Sequence, residues 1–456
     1  MVKSSNIHFI NIINNYKLRF VFYIALSFIT PFVQAETVSL TEDQALQLFF
    51  ERNLGLLAAR YNIENAQAQE IVASAIPNPT IGVQVMELSS RPNYNSAAQG
   101  CSPNTTCGPA EMYMFSQLIE MAGKRGLRME SSAVATQAAE SDFRDAVRIL
   151  TNMVRDAYYT LLLAQKTRWL AQENFNHYKD IVSTNSLRLK AGDIAEGDFL
   201  RIEVESFKAQ SDLDNANAAI KQAQADLAVV LRWPDKSMQF AAQDSLPSIK
   251  DIGQNFTEEN LINKALPLRP DLQGDKQRAD QAAKDLTLAR RLKYPDVTLN
   301  VGETRDPSNT ILNTYLVGIS VPVPLFYQYQ GESSKAAVSL NQMLLAAQQT
   351  ELDIRNDVVS SLSAWQSADA VVKRFEGQVL DRVLKIRQTA ELAYSKGATS
   401  VLDLIEAQRN YKAIMLDYNN AVINRINAYY DLCKAIGVEP NASASSHLRE
   451  PPAETH

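Results

Sequence analysis

Two acidic residues, Asp403 and Glu406, follow a glycine-containing turn signal near the end of the chain. Residues three positions apart share one face of a helix, so this pair would present two carboxylates together and attract cations. A second interpretation needs only the local chain. Ser400 and Asp403 match a capping box, in which an acid three residues after the N-cap closes the helix start. The sequence leaves both interpretations open.

A second segment repeats this pattern 205 residues earlier, because Gly192–Leu200 (GDIAEGDFL) matches Gly397–Ile405 (GATSVLDLI). The match places Asp198 and Arg201 where the later copy has its two acids. An arginine there departs from a purely acidic pattern, and it is suited to an ion pair with a nearby acid. The two copies therefore differ in charge at equivalent positions.

The sequence contains no catalytic constellation, having neither a nucleotide-binding glycine-rich loop nor an HExxH motif. Cys101 and Cys107 could close a small disulfide loop in an oxidising compartment. Cys433 falls on an apolar helical stripe and fits a buried small hydrophobe. Histidines are sparse, and two of them lie in the tail 439–456, whose composition is typical of disorder. We therefore predict no enzyme activity, no cofactor and no metal site.

The chain of 456 residues carries a formal charge of −6, which argues against a nucleic-acid partner. Residues 1–35 have the pattern of a signal peptide: a basic start, the apolar run Phe20–Thr30, and small residues before cleavage after Ala35. Removing them loses three cations and changes the charge from −6 to −9. No segment of the mature chain has eighteen consecutive apolar residues, so no transmembrane helix is predicted.

Four short segments alternate between apolar and polar residues, which predicts strands at about 78–87, 111–119, 296–304 and 314–322. The second of these is the weakest. One face of such strands could contact lipid while the other faces a lumen. A soluble sandwich with one buried face has the same alternation, and the pattern alone does not separate the two.

Long helical hairpins are predicted over about 124–231 and 332–436, where glycine and proline are scarce. A helix of about 65 residues would be roughly 100 Å long, a length typical of helical tubes and coiled coils. Heptad seams run along both hairpins, 205 residues apart. They comprise Leu213, Ala216, Ile220, Ala223, Leu227 and Val230, and then Tyr418, Ala421, Arg425, Ala428, Leu432 and Ala435.

The chain is therefore a tandem duplication, with a first repeat at 36–233, an inter-repeat segment at 234–256 and a second repeat at 257–438. The fold class is mainly α with a small β part. Four strands cannot close a barrel, since about eight is the smallest closed size. A membrane-inserted chain must then form an oligomer, and three copies would supply twelve strands.

Four motifs resemble the TolC family of outer-membrane efflux proteins, and within it the CzcC-type heavy-metal branch. Two of them, SQLIEMAGKRGLR (116–128) and VPVPLFYQYQGESSKA (321–336), are similar to strand-to-helix junctions. The other two, LKAGDIAEGDFLRIE (189–203) and YSKGATSVLDLIEAQ (394–408), are similar to hairpin tips. The resemblance covers about residues 38–438.

The resemblance implies a homotrimer with a twelve-stranded β-barrel in the outer membrane and an α-helical barrel in the periplasm. It implies an exit duct that works with a periplasmic adaptor and an inner-membrane RND pump, with heavy-metal cations as cargo. Drug efflux and type I protein secretion are alternatives within the family. A soluble periplasmic coiled-coil scaffold is the alternative from another class.

The resemblance also implies roles for single residues. Asp403, Glu406 and Asp198 would form cation-attracting rings at a periplasmic gate. Gly192 and Gly397, at the hairpin tips, would contact the adaptor. The strand-to-helix junctions would contain Gly123, Pro322, Pro324 and Gly331. We expect both junction glycines to adopt unusual backbone angles, and both prolines to end a strand because they lack an N–H donor.

Overall fold

The computed structural model describes residues 37–86, 109–233, 239–243, 257–306 and 313–439. The predicted signal peptide at 1–35, the cysteine pair Cys101 and Cys107, and the tail beyond residue 439 lie outside the described residues.

In the described residues of its first half, the chain forms four strands and four helices. They are β1 (Thr37–Leu40), α1 (Glu42–Arg52), α2 (Leu54–Ser74), β2 (Thr80–Met86), β3 (Ala110–Ile119), α3 (Lys124–Ala191), α4 (Glu196–Val230) and β4 (Gln239–Ala242). The second half follows the same plan without the short outer strands. It contains α5 (Glu258–Leu268), α6 (Pro270–Arg291), β5 (Val297–Arg305), β6 (Asn313–Ser320), α7 (Gln330–Arg374), α8 (Leu380–Ser395) and α9 (Val401–Ile436).

Each half opens at a threonine N-cap. Thr41 accepts a hydrogen bond from the Gln44 amide and forms a full capping box at the start of α1. Thr257 accepts one from the Asn260 amide at the start of α5. A side-chain oxygen in this position satisfies a backbone N–H that the helix leaves unpaired, so both starts are encoded locally.

The helix α3 has 68 residues and extends for about 100 Å at 1.5 Å per residue. The corresponding long helix of the second half, predicted to begin at about residue 332, is not continuous. A π-helical turn at Phe375–Val379 (FEGQV) separates α7 from α8. Such a turn widens the helix by one residue and bends it, and Gly377 within it weakens the α-helical preference. Within the described part of the chain, no helix is both long and apolar enough to cross a membrane.

The heptad seam of α4 packs inward. Leu213, Ala216, Ala223 and Leu227 are buried on it, and the alanines allow close approach to α3. On α9, Ala421, Leu432 and Ala435 of the second seam are also buried. The polar exception in that seam, Arg425, lies 3.6 Å from Asp369 on α7, so its charge is paired.

The main core lies midway along the helices, where the two halves meet. There the Tyr159 and Tyr430 hydroxyls both donate to the Glu42 carboxylate, at 2.6 and 2.7 Å. The Arg155 guanidinium donates to the other oxygen of Glu42 at 2.8 Å. A parallel pair of β1 with β4 covers this core, and sequence analysis did not predict it.

The remaining strands form one antiparallel sheet in the order β2-β3-β5-β6. Its register places Ile81, Phe115, Val301 and Val317 in one row across the sheet. All four are exposed, Ile81 to 80% and Val317 to 73%. The opposite face carries mostly glycine and polar side chains, together with Met112, Met114 and Leu316. On it Ser116 donates a hydrogen bond to Asn300 at 2.7 Å.

Candidate gate at the helical hairpin tips

Both hairpin tips use the same backbone device. Gly192 and Gly397 adopt left-handed φ angles of 81° and 71°. The residue after each glycine donates back across the turn, from Asp193 N to Arg188 O and from Ala398 N to Ala393 O, at 2.8 Å in both cases. This 6→1 bond is the Schellman helix ending, which favours glycine at the left-handed position. The tip glycines are therefore required by the backbone.

The acid Asp403 occupies the N3 position of α9 and completes a capping box with Ser400. One carboxylate oxygen of Asp403 accepts from the Thr399 hydroxyl at 2.6 Å and from the Ser400 amide at 3.2 Å. These hydrogen bonds lower the pKa of Asp403, so its exposed carboxylate stays charged in mildly acidic solution. The cap and the negative charge are thus compatible, and the same side chain supplies both.

The neighbouring acid Glu406 is exposed one turn further along the same face of α9. Asp198 takes the corresponding place in the first turn of α4. It lies 3.6 Å from the Arg201 guanidinium, in a pair that solvent reaches on both sides. The second tip thus carries two acids and the first an acid paired with a base.

A small apolar cluster of Ile202, Val401 and Ile405 fastens the two tips together. Beside it, the Tyr394 hydroxyl on α8 donates to the Asn185 side chain on α3. The Arg188 guanidinium lies 5.4 Å from the centre of the Tyr394 ring. Sequence analysis missed these contacts, because they join residues about 200 positions apart.

Two ion pairs connect α4 with α9 above the tips. Glu205, only 6% exposed, accepts two hydrogen bonds from the Arg409 guanidinium, one of them at 3.0 Å. Hydrogen bonding to Arg409 lowers the pKa of Glu205. Lys412 pairs with Asp212 two turns further along α4. These contacts connect the second helix of one hairpin to the second helix of the other.

The strand-to-helix junctions lie at the other end of the hairpins. Gly123 adopts a φ of 66°, as expected, and the preceding Ala122 is also left-handed. The Ala122 carbonyl accepts from the Arg291 guanidinium at 2.8 Å. Lys124 forms an ion pair of 2.9 Å with Asp296, at the start of the neighbouring strand. The first junction is thus held from the second repeat.

The second junction corrects one expectation from the sequence. Gly331 lies in the first turn of α7, and the left-handed residue is Tyr329, with a φ of 59°. The helix begins at Gln330, so the turn that needs the positive φ comes before the glycine. Pro322 and Pro324 follow the last residue of β6 and lie outside the strand.

Among the residues that the structure describes, no three histidine, cysteine, aspartate or glutamate side chains lie close enough together to hold a metal ion. Cys433 is a buried free cysteine of the α9 core face, as its apolar stripe predicts. Burial raises the pKa of its thiol to about 11.

The family model described as outer membrane efflux protein matches residues 45–231 and 261–438. The chain belongs to the outer membrane efflux protein family. It is therefore an outer-membrane efflux channel and not an enzyme.

Relatives in the outer membrane efflux protein family have different stated roles. The cobalt-zinc-cadmium resistance protein CzcC of Cupriavidus metallidurans is 23% identical over 384 residues, covering 84% of this chain and 86% of CzcC. The pyoverdine export outer membrane protein OpmQ of Pseudomonas putida is 21% identical over 407 residues, covering 87% and 85%.

The fold agrees with a solved channel. The crystal structure of the Campylobacter jejuni CmeC outer membrane channel superposes with a TM-score of 0.72 at 17% identity, covering 89% of this chain and 88% of CmeC.

Proposed function

We propose that three copies of this chain form the exit duct of a tripartite efflux system that exports heavy-metal cations. One observation supports this assembly. The four-stranded sheet has β2 and β6 as its edge strands, and the outer edge of each has no partner strand within the described chain. Unpaired edges invite pairing with another copy, and an exposed apolar face suits lipid. Twelve strands from three copies would leave no edge open. The soluble scaffold explains neither feature.

The gate follows from the same symmetry. A threefold axis would turn Asp403 and Glu406 into two rings of three carboxylates at the periplasmic end, with Asp198 nearby. Such rings favour cations at a narrow opening. The hydrogen bonds that hold Asp403 in its capping box support a fixed position for one ring.

The metal cargo is supported by similarity to CzcC, whose name states cobalt, zinc and cadmium resistance. A passive duct does not need to bind its cargo, so selection would belong to an inner-membrane RND pump. A periplasmic adaptor would contact the tips near Gly192 and Gly397. OpmQ favours siderophore export as the competing cargo, and drugs and secreted proteins remain the other candidates.

The proposed mature chain begins at Glu36, after the signal peptide 1–35, and contains the repeats 36–233 and 257–438 around the segment 234–256. The tail 439–456 would lie outside both repeats. N-terminal sequencing of the exported protein tests the cleavage site. Alkylation with and without reductant tests a disulfide between Cys101 and Cys107.

Outer-membrane fractionation and heat-modifiable bands in denaturing gels test the assembly. We expect a trimer that resists detergent until it is heated. A monomer in the soluble periplasmic fraction would overturn the channel assembly.

Deletion of the gene tests the cargo, with sensitivity to zinc, cobalt, cadmium, copper and silver as the measurement. We expect lower tolerance to at least one of these metals, restored by the plasmid-borne gene. Unchanged tolerance to all five, together with a loss of drug resistance or of siderophore export, would reject the metal cargo and retain the duct.

A further inference from the structure

A buried amide joins three helices above the proposed gate. Gln408 of α9 is 2% exposed, which is unusual for a polar side chain with a full hydrogen-bonding capacity. Its Nε2 lies 2.6 Å from Nε2 of His177 on α3 and 2.5 Å from Oε1 of Glu391 on α8. The His177 and Glu391 atoms are themselves 3.4 Å apart. These three residues are called the histidine latch below.

The carboxylate fixes which way the amide points. An ionised Glu391 only accepts hydrogen bonds, so the amide nitrogen and not the amide oxygen of Gln408 must face it. The second amide hydrogen then points at Nε2 of His177. That nitrogen can accept only when the imidazole is neutral and carries its proton on Nδ1. The heavy-atom distances therefore suit an uncharged His177 with its proton on Nδ1.

We propose that the histidine latch is a proton-operated control of the gate, which rests on the proposed role of α9 in that gate. Protonation places a hydrogen on Nε2 of His177, opposite the amide hydrogens of Gln408, so the hydrogen bond between α3 and α9 is lost. If the Gln408 amide rotated by 180°, its oxygen could accept from the protonated Nε2 of His177. The same oxygen would then face the Glu391 carboxylate, which has no hydrogen to donate. The imidazolium instead pairs with Glu391.

Protonation of His177 weakens the attachment of α9 and not that of α8. The contact of α9 with α3 through Gln408 is released, while the contact between α3 and α8 gains an ion pair. Because Asp403 and Glu406 lie in the first two turns of α9, the release frees the helix that carries both proposed rings. Acidic solution therefore opens the duct.

Charged groups on α3 and α8 lie beside the histidine latch. On α3, Glu173 receives a hydrogen bond from Arg387 of α8 at 3.1 Å. Arg387 also lies 3.5 Å from Glu391 and 4.0 Å from the centre of the Tyr411 ring on α9. Burial raises the pKa of Tyr411, and carboxylates ordinarily titrate near pH 4. Histidine is the side-chain type among these that changes charge between about pH 5 and 8.

Single-channel recording of the full trimer in planar bilayers, at about pH 8 and about pH 5.5, tests the latch. Open probability of the wild type should rise roughly three- to tenfold on acidification, the factor that one net hydrogen bond supplies. His177→Gln keeps an acceptor that does not titrate, so the open probability of this variant should stay low at both pH values. Gln408→Met removes the amide but keeps a similar side-chain volume, so the open probability of this variant should be high at both pH values.

Burial raises the pKa of Asp156 to about 6, which lies between the two pH values of this test. Asp156→Asn is therefore the matched control and should keep the wild-type response. A rise that survives in His177→Gln, or a wild-type open probability that falls in acid, would overturn the latch.

Nitrogen NMR of histidine-labelled trimer reads the latch without any conductance. At about pH 8 the His177 signals, assigned by their loss in His177→Gln, should be those of the Nδ1–H tautomer, and Gln408→Met should abolish that preference. An Nε2–H tautomer in the wild type would contradict the latch. A trimer that conducts at no pH would instead contradict the exit duct, so the two failures are distinguishable.

Discussion

The Glu205 carboxylate on α4 and the Arg409 guanidinium on α9 form a two-pronged ion pair between the two repeats. The partners differ in environment: Glu205 is buried, whereas the Arg409 side chain is 55% exposed. This ion pair is therefore neither a fully buried salt bridge nor a surface salt bridge. Its main consequence is that removing the arginine would leave a buried carboxylate alone.

Arg409→Met should lower the stability of the protein by about 1–3 kcal/mol at neutral pH, the cost of a buried charged acceptor without its donor. Hydrogen bonding to Arg409 lowers the pKa of Glu205 in the folded state. The pair therefore stabilises above the unfolded pKa of about 4.3, and this stabilisation is lost as pH falls through the lowered folded pKa. Thermal unfolding at about pH 7, and then at decreasing pH below about 4, measures both effects.

The matched control for that variant is Arg355→Met, which removes an exposed pair with Glu351 four residues away on α7. We expect a much smaller loss of stability for Arg355→Met, because an exposed pair contributes little. Equal losses in the two variants would mean that burial of Glu205 contributes nothing.

Periodicity in the sequence predicts the four sheet strands and the long helices, because each pattern reports a local, repeated environment. The capping boxes at Thr41 and Ser400 are also local, and both occur in the structure. The π-helical turn at Phe375–Val379 carries only a glycine as a signal, and one glycine in a long helix is ordinarily tolerated.

Contacts between distant parts of the chain could not be predicted in this way. The β1 and β4 strands are four residues each and pair across some 200 positions. The histidine latch similarly combines residues from three helices. Their identities become informative only once the hairpins are placed side by side, since neither His177 nor Gln408 stands out in its own segment.

Asp156→Asn should stabilise the protein at neutral pH. Burial, and then repulsion from Asp431, raise the pKa of Asp156 to about 6. The unfolded carboxyl titrates near 3.9, so the folded state binds more protons between these values and stability falls as pH rises through them. Because the group is partly exposed, we expect a gain of about 1 kcal/mol at pH 7.5 and none below about pH 4. Thermal unfolding across this range measures the gain, and a gain independent of pH would contradict the cause.

Gly123→Ala should destabilise the first junction, whereas Gly126→Ala should not. Gly123 has a φ of 66°, and a Cβ there would lie 3.0 Å from the Arg291 guanidinium that binds the Ala122 carbonyl. We expect the free energy of unfolding to fall by about 1–3 kcal/mol, measured by thermal unfolding. Gly126 lies inside α3 with open space around its Cβ position, so alanine should gain up to about 1 kcal/mol. Similar shifts in both variants would exclude backbone strain at Gly123.

Glu406→Gln and Asp403→Asn should separate charge from capping at the gate. Both remove one proposed ring of charge and should lower the ratio of cation to anion permeability in planar bilayers. Only Asp403→Asn also weakens the capping box, so it alone should lower the thermal stability of the protein. Since hydrogen bonds from Thr399 and Ser400 lower the pKa of Asp403, the cation preference of Glu406→Gln should persist below about pH 4, where an ordinary aspartate is half protonated. Glu351→Gln, which neutralises an exposed acid far from the tips, is the control. If it changes selectivity as much as the tip variants do, general surface charge and not a ring at the tip sets the preference.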